Sequence, residues 1–187
     1  MSSTASSAVK ANAPSLDLQA VNALDREEFV RVLGAVFEHS EWVAAGAVEA
    51  RPFDSVESLH AAMIDVVRRR PRTEQIDFLC AHPELAGKEA QSGTMTSDST
   101  TEQKGAGLDA LAPAELDLIT RMNAEYRERH GFPFIICVGD HTKQEIFDEF
   151  RRRTGNETEA ELSEAVSQIT AITGRRLRTV VRDGARS

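Results

Sequence analysis

The amino-acid sequence predicts an all-α protein, and three features of its pattern support that prediction. The apolar positions recur at the three- and four-residue spacing of a helix face, not at the two-residue spacing of a strand. Prolines and glycines divide the chain into segments of helical length. Several segments open with a capping-box pattern; these pairs are Asp25 with Glu28, Ser99 with Glu102, Thr142 with Glu145 and Thr158 with Glu161. We expect one compact domain of seven to eight helices over residues 16–181.

The first half of the chain accounts for helices expected at residues 25–37, 42–48, 55–70 and 71–81. Asp25 and Ser55 supply N-caps for the first and third of them. The third ends in three arginines before Pro71, where the negative end of the helix dipole favours positive charge. The fourth is stopped by His82-Pro83, because proline disfavours helix at the residue before it. The pattern therefore places His82 at a forced turn.

The second half is expected to contain helices that start at Ser99, Pro113, Thr142 and Thr158. A polar connection at residues 88–99 precedes the first of them and has the length of a functional loop. The continuous apolar run at residues 132–138, flanked by Gly131 and Gly139, is too short for a helix. We expect this run to be a short, buried, extended segment.

Both ends of the chain are expected to lie outside the helical domain. Residues 1–15 are rich in Ser and Ala and lack the charged and apolar regions of a secretory signal, so we expect a disordered tail. Residues 182–187 form a polar tail that does not match a peroxisomal address.

The composition restricts the classes of partner. The 187 residues include 22 Lys and Arg against 30 Asp and Glu, and the formal net charge of -8 repels phosphate backbones and anionic membranes. Neither nucleic acid nor a membrane is therefore expected as a partner, although a local basic pocket could still bind a small anion. The two cysteines, Cys80 and Cys137, lie in apolar runs and are expected to be buried thiols. That cysteine usage fits a reducing, cytoplasmic location.

Strong cofactor and nucleophile motifs are absent from the sequence. It has no Walker loop, dinucleotide fingerprint, nucleophile elbow, Cys-x-x-Cys or His-Glu-x-x-His pattern. A metal site can be imagined from dispersed side chains without the close pairing of a zinc site; these are Cys80, His82, His130, Cys137 and His141. We therefore expect no metal.

Two features are compatible with a binding pocket, and each has a simpler interpretation. His82 follows a helix end, while residues 99–103 open another helix after a polar loop, which is an arrangement suited to anion binding. A histidine before proline is more often a turn residue, and a capping box is more often only a cap. Of Arg175 and Arg176, one can cap its helix while the other points at a pocket. The residues alone leave these alternatives open.

Four motifs in order along residues 16–181 resemble the 2-oxo-4-hydroxy-4-carboxy-5-ureidoimidazoline (OHCU) decarboxylase family. They are Ala81-His82-Pro83-Glu84-Leu85 with Gly87-Lys88, Ser99-x-x-Glu102-Gln103-x-x-Ala106-Gly107-Leu108, Asn123-x-x-Tyr126 with Gly131-Phe132-Pro133-Phe134-Ile135-Ile136-Cys137, and Arg176-Leu177. The resemblance implies an all-helical fold, usually a homodimer, with no cofactor. It also implies decarboxylation of OHCU to (S)-allantoin, the last step from urate to allantoin. Urate oxidase and hydroxyisourate hydrolase are implied as possible pathway neighbours.

The same resemblance implies roles for individual residues. His82 is implied as the catalytic acid/base, and Pro83 as a lining residue of its pocket. The family's substrate-binding helix start is similar to Ser99, Thr100, Thr101, Glu102 and Gln103, and the stretch that offers backbone groups to the substrate is similar to Phe134, Ile135, Ile136, Cys137 and Val138. Arg176 occupies the position of the substrate arginine. Glu102, also a catalytic candidate, has three possible roles: an acceptor for ureido N–H groups, a base that orients His82, or a helix cap.

The implied chemistry agrees with the absence of cofactor motifs. The conjugated ring of OHCU and its carbonyl can hold the electron pair released with carbon dioxide, so the protein has only to position the substrate and deliver a proton. Two other functions remain possible. One is a non-catalytic helical interaction module, since fold does not fix function; the other is a decarboxylase of a related ureido or imidazoline acid. Turnover of OHCU would separate these possibilities.

Overall fold

The computed structural model describes residues 15–184 and confirms the all-α fold. Its helices are α1 Leu18–Ala23, α2 Arg26–Leu33, α3 Glu41–Ala47, α4 Val56–Arg68, α5 Arg72–Cys80, α6 Lys88–Ser92, α7 Ser97–Gly105, α8 Pro113–His130, α9 Lys143–Thr154 and α10 Thr158–Val180. Short 3-10 turns lie at Gly34–Val36, Val48–Ala50 and Val138–Asp140. Apart from Ser15, the tail expected at residues 1–15 lies outside the described residues, as do residues 185–187.

Local capping explains where several helices begin. The Asp25 carboxylate accepts a hydrogen bond from the Glu28 amide at 2.8 Å and so caps α2. Thr142 and Glu145 form the full reciprocal capping box of α9. Pro113 is the first residue of α8, and Gly131 ends that helix with a positive φ of 84° that suits glycine. These predictions from the sequence are confirmed.

The longest helix, α10, organises the packing of the domain. It runs against α2, α4, α5 and α8, while α3 packs between α2 and α4. Two residues at each end of the helical domain form a small parallel pair, β1 Leu16–Asp17 with β2 Val181–Arg182. Arg182, the first residue of the expected polar tail, pairs with Asp17 in this sheet. Within residues 15–184, no helix has the combined length and apolarity needed to cross a membrane.

The region between α5 and α8 differs from the sequence prediction. Residues 88–99 were expected to be a loop, but they contain α6 and the first residues of α7, a helix that was expected to start at Ser99. The helices added to the predicted set are α1 and α6. The cap of α7 is Thr96, whose hydroxyl accepts from the Ser99 amide at 3.3 Å. The Ser99–Glu102 capping box is therefore wrong. Thr96 supplies the capping oxygen one turn earlier, which frees the Ser99 and Glu102 side chains for other contacts.

Two further predictions are corrected by burial. Thr158 and Glu161 do not form a capping box, because Glu157 is the N-cap of α10 and buried Glu161 pairs with Arg153 instead. Cys80 is exposed, whereas Cys137 is buried as expected. The α5 face that enters the core carries Phe78 and Leu79, and the next residue along the helix turns outward.

Candidate active site

One cleft brings together the His82 turn, α7, residues 132–138 and α10. Counted out to its open mouth, the free space in this cleft is about 390 Å³. The lining residues are His82, Pro83, Leu85, Ser99, Glu102, Gln103, Phe134, Ile135, Ile136, Val138, Ile172 and Arg176. Most of the surface is apolar, and the polar side chains converge from three separate parts of the chain.

His82 is held in one orientation at the end of α5. Its amide donates to the Leu79 carbonyl at 3.0 Å, and its Nδ1 lies 3.2 Å from the Phe78 carbonyl oxygen. Because a carbonyl only accepts, this contact requires a proton on Nδ1 and leaves Nε2 of the neutral ring unprotonated. Burial lowers the pKa of His82 to about 4, against the opposing negative charge of Glu38. His82 is therefore neutral at pH 7, and Nε2 is a proton acceptor.

Gln103 fixes the turn that follows His82. Its Oε1 accepts from the Ala86 amide at 2.9 Å, and its Nε2 donates to the Glu84 carbonyl at 3.3 Å. Asn123 of α8 adds a third contact through its side-chain N–H to the Leu85 carbonyl at 2.9 Å. Ala86 has a φ of 47°, a conformation that costs energy for a residue with a Cβ. The two side-chain amides therefore hold a strained turn beside the candidate base.

The apolar run at residues 132–138 is buried, as predicted, and forms no helix before Val138, which opens the 3-10 turn. Arg153 donates from Nη1 to the Ile135 carbonyl at 2.8 Å, and Gln168 accepts from the Cys137 amide at 2.9 Å. The Phe134 ring stacks on Phe150 with 3.9 Å between ring centroids. These contacts from α9 and α10 satisfy backbone groups of a segment that has no ladder of its own.

Arg153 is anchored by a fully buried ion pair. Its guanidinium meets the Glu161 carboxylate, with Nη2 to Oε2 at 2.9 Å, and both side chains are 0% exposed. The Tyr126 hydroxyl also donates to that carboxylate. Burial acts to raise the pKa of Glu161, but Arg153 and Tyr126 outweigh it, so the pKa is lowered. Arg153 therefore remains paired while it holds Ile135.

Arg176 of α10 is enclosed by two carboxylates and a hydroxyl. Its Nε and Nη2 donate to Glu102 Oε1 and Oε2 at 2.8 and 2.7 Å, and its Nη1 donates to Glu38 at 2.9 Å. Nη2 also donates to Ser99 Oγ at 3.2 Å. Burial opposes the charge, but Glu102 and Glu38 outweigh that effect and raise the pKa of Arg176. The arginine is a fixed cation at the cleft.

Sequence reasoning missed the lining residues Leu85 and Ile172 and, directly beside the cleft, the charged residue Glu38. Glu38 is 2% exposed and accepts from the Thr96 hydroxyl at 2.7 Å and the Ser99 hydroxyl at 3.0 Å. Burial acts to raise the pKa of Glu38, but the Thr96 and Arg176 hydrogen bonds outweigh it and lower the pKa. The available signal was a lone acidic residue directly after the apolar pair Val36 and Phe37. A buried charge at such a position needs partners.

Several predicted site residues lie away from the cleft lining. Thr100 and Thr101 are exposed, and their hydroxyls donate to the Thr96 and Ser97 carbonyls of their own helix. Burial, aided by Asp140, raises the pKa of the Cys137 thiol to about 11, so this thiol is neutral. Arg175 is exposed and pairs with Asp140, which leaves Arg176 as the arginine at the cleft.

The fold and the site together define an all-α protein in which a buried neutral histidine and a carboxylate-bound arginine share one largely apolar cleft. The chain belongs to the OHCU decarboxylase family, because the family model described as OHCU decarboxylase matches residues 22–178.

Individual relatives agree with that membership. The chain is 39% identical over 162 residues to 2-oxo-4-hydroxy-4-carboxy-5-ureidoimidazoline decarboxylase of Haloferax volcanii, with 87% of this chain and 94% of that protein covered. It is 36% identical over 161 residues to the uric acid degradation bifunctional protein PucL of Bacillus subtilis, with 86% of this chain and 32% of that protein covered. A crystal structure of (S)-allantoin synthase aligns with a TM-score of 0.72 at 26% identity, covering 89% of this chain and 54% of that chain.

Proposed function

We propose that this protein catalyses the cofactor-independent decarboxylation of OHCU to (S)-allantoin. The observation that carries the proposal is the presence, in one small cleft, of the neutral His82 ring and the Arg176 cation. Membership of the OHCU decarboxylase family supports the reaction. Similarity to (S)-allantoin synthase supports the configuration of the product.

The reaction requires that the substrate be held in one orientation and that one side chain carry a proton. The bond between the ring carbon and its carboxylate breaks, carbon dioxide leaves, and the electron pair passes into the conjugated ring of OHCU. The ring nitrogen that receives the electron pair takes up a proton from solvent, and the resulting enol becomes a carbonyl when its hydroxyl loses a proton and the neighbouring ring carbon gains one. Side chains that orient the carboxylate and move this proton are enough to accelerate these steps.

His82 is the proposed proton carrier. Its unprotonated Nε2 can accept the hydrogen of the substrate 4-hydroxyl, since Nδ1 is committed to the Phe78 carbonyl. When Nε2 has taken the proton, the buried imidazolium is a strong acid, because the surroundings that lower its pKa favour release. Return of the proton from this fixed ring to one face of the substrate would set the S configuration.

Arg176 and Glu102 are the proposed substrate-binding pair. Arg176 supplies the positive charge that an acidic substrate requires. Glu102 is 32% exposed at the cleft, and Arg176 orients its carboxylate, so its remaining lone pairs can accept ureido N–H groups. This placement favours the acceptor role of Glu102 over the two alternatives. Pro83 and the backbone of residues 134–138 are proposed as the opposing walls.

Turnover of freshly generated OHCU tests the proposed function. Urate oxidase and hydroxyisourate hydrolase would produce OHCU from labelled urate, and ¹³C NMR would follow its disappearance with and without this protein. We expect wild-type protein and a matched His141→Gln variant to accelerate the loss of OHCU, and His82→Gln to remain near the uncatalysed rate. A folded wild-type protein that gives no acceleration would overturn the proposal in favour of an interaction module or of another substrate.

We also propose the assembly and setting implied by the family. The functional domain would comprise residues 16–181 and form a homodimer in the cytoplasm. The name of the Bacillus subtilis relative, a uric acid degradation bifunctional protein, supports a place in uric acid degradation beside a second activity. We propose urate oxidase and hydroxyisourate hydrolase as the pathway neighbours. Light scattering after size-exclusion chromatography tests the dimer, and a monomer over the working concentration range would overturn it.

A further inference from the structure

Glu38 lies behind the cleft, at the point where the turn after α2 leads into α3, and outside the cleft lining. We propose that Glu38 is a positioning residue of the active site, a fixed carboxylate that holds Arg176 and Ser99 in place at the cleft. This inference rests on the proposed function. Glu38 acts through other side chains and does not contact substrate.

The contacts of Glu38 join two helices that carry the cleft. Its Oε1 accepts from Thr96, the N-cap of α7, and its Oε2 accepts from both Ser99 of α7 and Arg176 of α10. These three donors come from parts of the chain that are 58, 61 and 138 residues away from Glu38. One buried carboxylate therefore sets the register of α7 against α10 at the site.

The two carboxylates on Arg176 differ in their freedom to move. The Glu38 side chain is 1% exposed and has two hydroxyl donors besides the arginine. The Glu102 side chain is 32% exposed, and its hydrogen bonds are to Arg176. When a substrate group competes with Glu102 for the Nε and Nη2 edge of Arg176, Glu102 can shift away. Glu38 still holds Nη1 of the arginine. The arginine then keeps its position during binding.

Glu38 also acts on His82 through charge. The influences on His82 are burial, which disfavours the protonated ring, the negative Glu38, the positive Arg176, and the Phe78 and Leu79 backbone. Glu38 is the charged group that favours the protonated ring, and Arg176 opposes it. Since the proposed reaction passes through a protonated His82, loss of the Glu38 charge makes that state less accessible.

The test compares Glu38→Gln with wild type by kinetics and by NMR. Glutamine keeps the size of the side chain and removes the charge. We expect kcat on OHCU to fall about 10- to 100-fold, the range spanned by loss of a hydrogen bond to a charged group. In ¹H–¹⁵N spectra recorded without substrate, the His82 ring should also remain neutral to a lower pH than in wild type. A merely structural role would not move this titration.

Two further variants separate charge from packing. Thr96→Val removes one hydroxyl and keeps the Glu38 charge, so we expect the His82 titration to stay as in wild type. Glu38→Asp keeps the charge on a shorter side chain, and we expect a normal His82 titration with partial loss of kcat. If Glu38→Gln does not fold, Glu38→Asp carries the test. Both Glu38→Asp and Thr96→Val keep the negative charge, so a His82 titration that is shifted in both variants would refute the charge role.

The proposal is overturned if folded Glu38→Gln keeps both the wild-type kcat and the wild-type His82 titration. Failure of the proposed function gives a different pattern. In that case wild-type protein does not accelerate OHCU turnover, whereas the substrate-free NMR comparison still reports whether Glu38 controls His82.

Discussion

The Arg176 guanidinium and the Glu102 carboxylate form a bidentate pair, edge to edge, through two parallel hydrogen bonds, Nε to Oε1 at 2.8 Å and Nη2 to Oε2 at 2.7 Å. Such forked geometry is specific to arginine. A second carboxylate, Glu38, holds the other end of the same guanidinium. Two carboxylates thus surround one cation beside the neutral His82, and a substrate anion must compete with Glu102 to reach the arginine.

Replacing Arg176 with lysine tests the fork. Lysine keeps the positive charge, but its point-like ammonium cannot serve Glu102 and Glu38 in the same geometry. We expect Arg176→Lys to raise KM for OHCU about tenfold, with a smaller effect on kcat, and to lower the free energy of unfolding by about 2 kcal/mol. Exposed Arg175 provides the matched control, because Arg175→Lys should leave KM and stability unchanged. Equal KM values for both variants and wild type would remove Arg176 from the binding role.

The turn after His82 should loosen when Gln103 is changed. Gln103→Ala removes the partners of the Ala86 amide and the Glu84 carbonyl, and the strained Ala86 conformation loses a constraint. We expect faster hydrogen exchange at residues 84–87 and a fall in kcat of about tenfold. Gln103→Glu keeps the acceptor for Ala86 and should show a smaller increase in exchange. Unchanged exchange in Gln103→Ala would show that Asn123 alone fixes the turn.

Breaking the buried Arg153–Glu161 pair should be costly. Glu161→Gln leaves a 0% exposed guanidinium without its counter-ion, and removal of one partner of a buried pair costs about 3–5 kcal/mol. Exposed Arg152 and Glu149 on α9 offer a control, because Glu149→Gln should cost less than about 1 kcal/mol. Urea unfolding of both variants measures the difference. Similar midpoints for the two would mean that the buried pair contributes no more than a surface pair.

Acid should destabilise the protein through His82. The folded-state pKa of about 4 lies below the ordinary value of 6.5, so between these limits the unfolded chain binds a proton that the folded chain does not. Stability is therefore full above pH 6.5 and falls as the pH decreases toward 4. The lowered pKa values of Glu38 and Glu161 act in the same direction at still lower pH.

The size of this effect is measurable with a variant that does not titrate. From pH 7 to pH 4.5, His82 should cost wild-type protein about 2 kcal/mol of unfolding free energy. In His82→Gln the fall over the same interval should be smaller by that amount. Parallel urea curves for the two proteins at both pH values would contradict a lowered His82 pKa.

Much of the helical framework follows from local sequence. Asp25, Ser55 and Thr142 cap helices where predicted, and Pro83 forces the turn at His82, because these effects depend on neighbours three or four residues away. The absence of an α-helix over the buried run at residues 132–138 was also predictable, since the run is too short for one. Local chemistry of this kind does not depend on the rest of the fold.

The errors arise where distant residues compete with local ones. Ser99 and Glu161 look like parts of capping boxes. Instead, the Ser99 hydroxyl accepts from Arg176, and the Glu161 carboxylate accepts from Arg153. These distant arginines take the place of the local backbone amides as donors. Glu38 could not be placed at the site, because its partners come from α7 and α10. A parallel pair between residues at opposite ends of the domain has no local signature either.

The most direct test of the account is circular dichroism of allantoin formed from freshly generated OHCU, with wild-type protein, with His82→Gln and without protein. We expect rapid appearance of a single optical sign, that of (S)-allantoin, with wild-type protein only. Slow formation of racemic product at the uncatalysed rate, from wild-type protein shown to be folded, would contradict it, as would full stereoselectivity retained by His82→Gln.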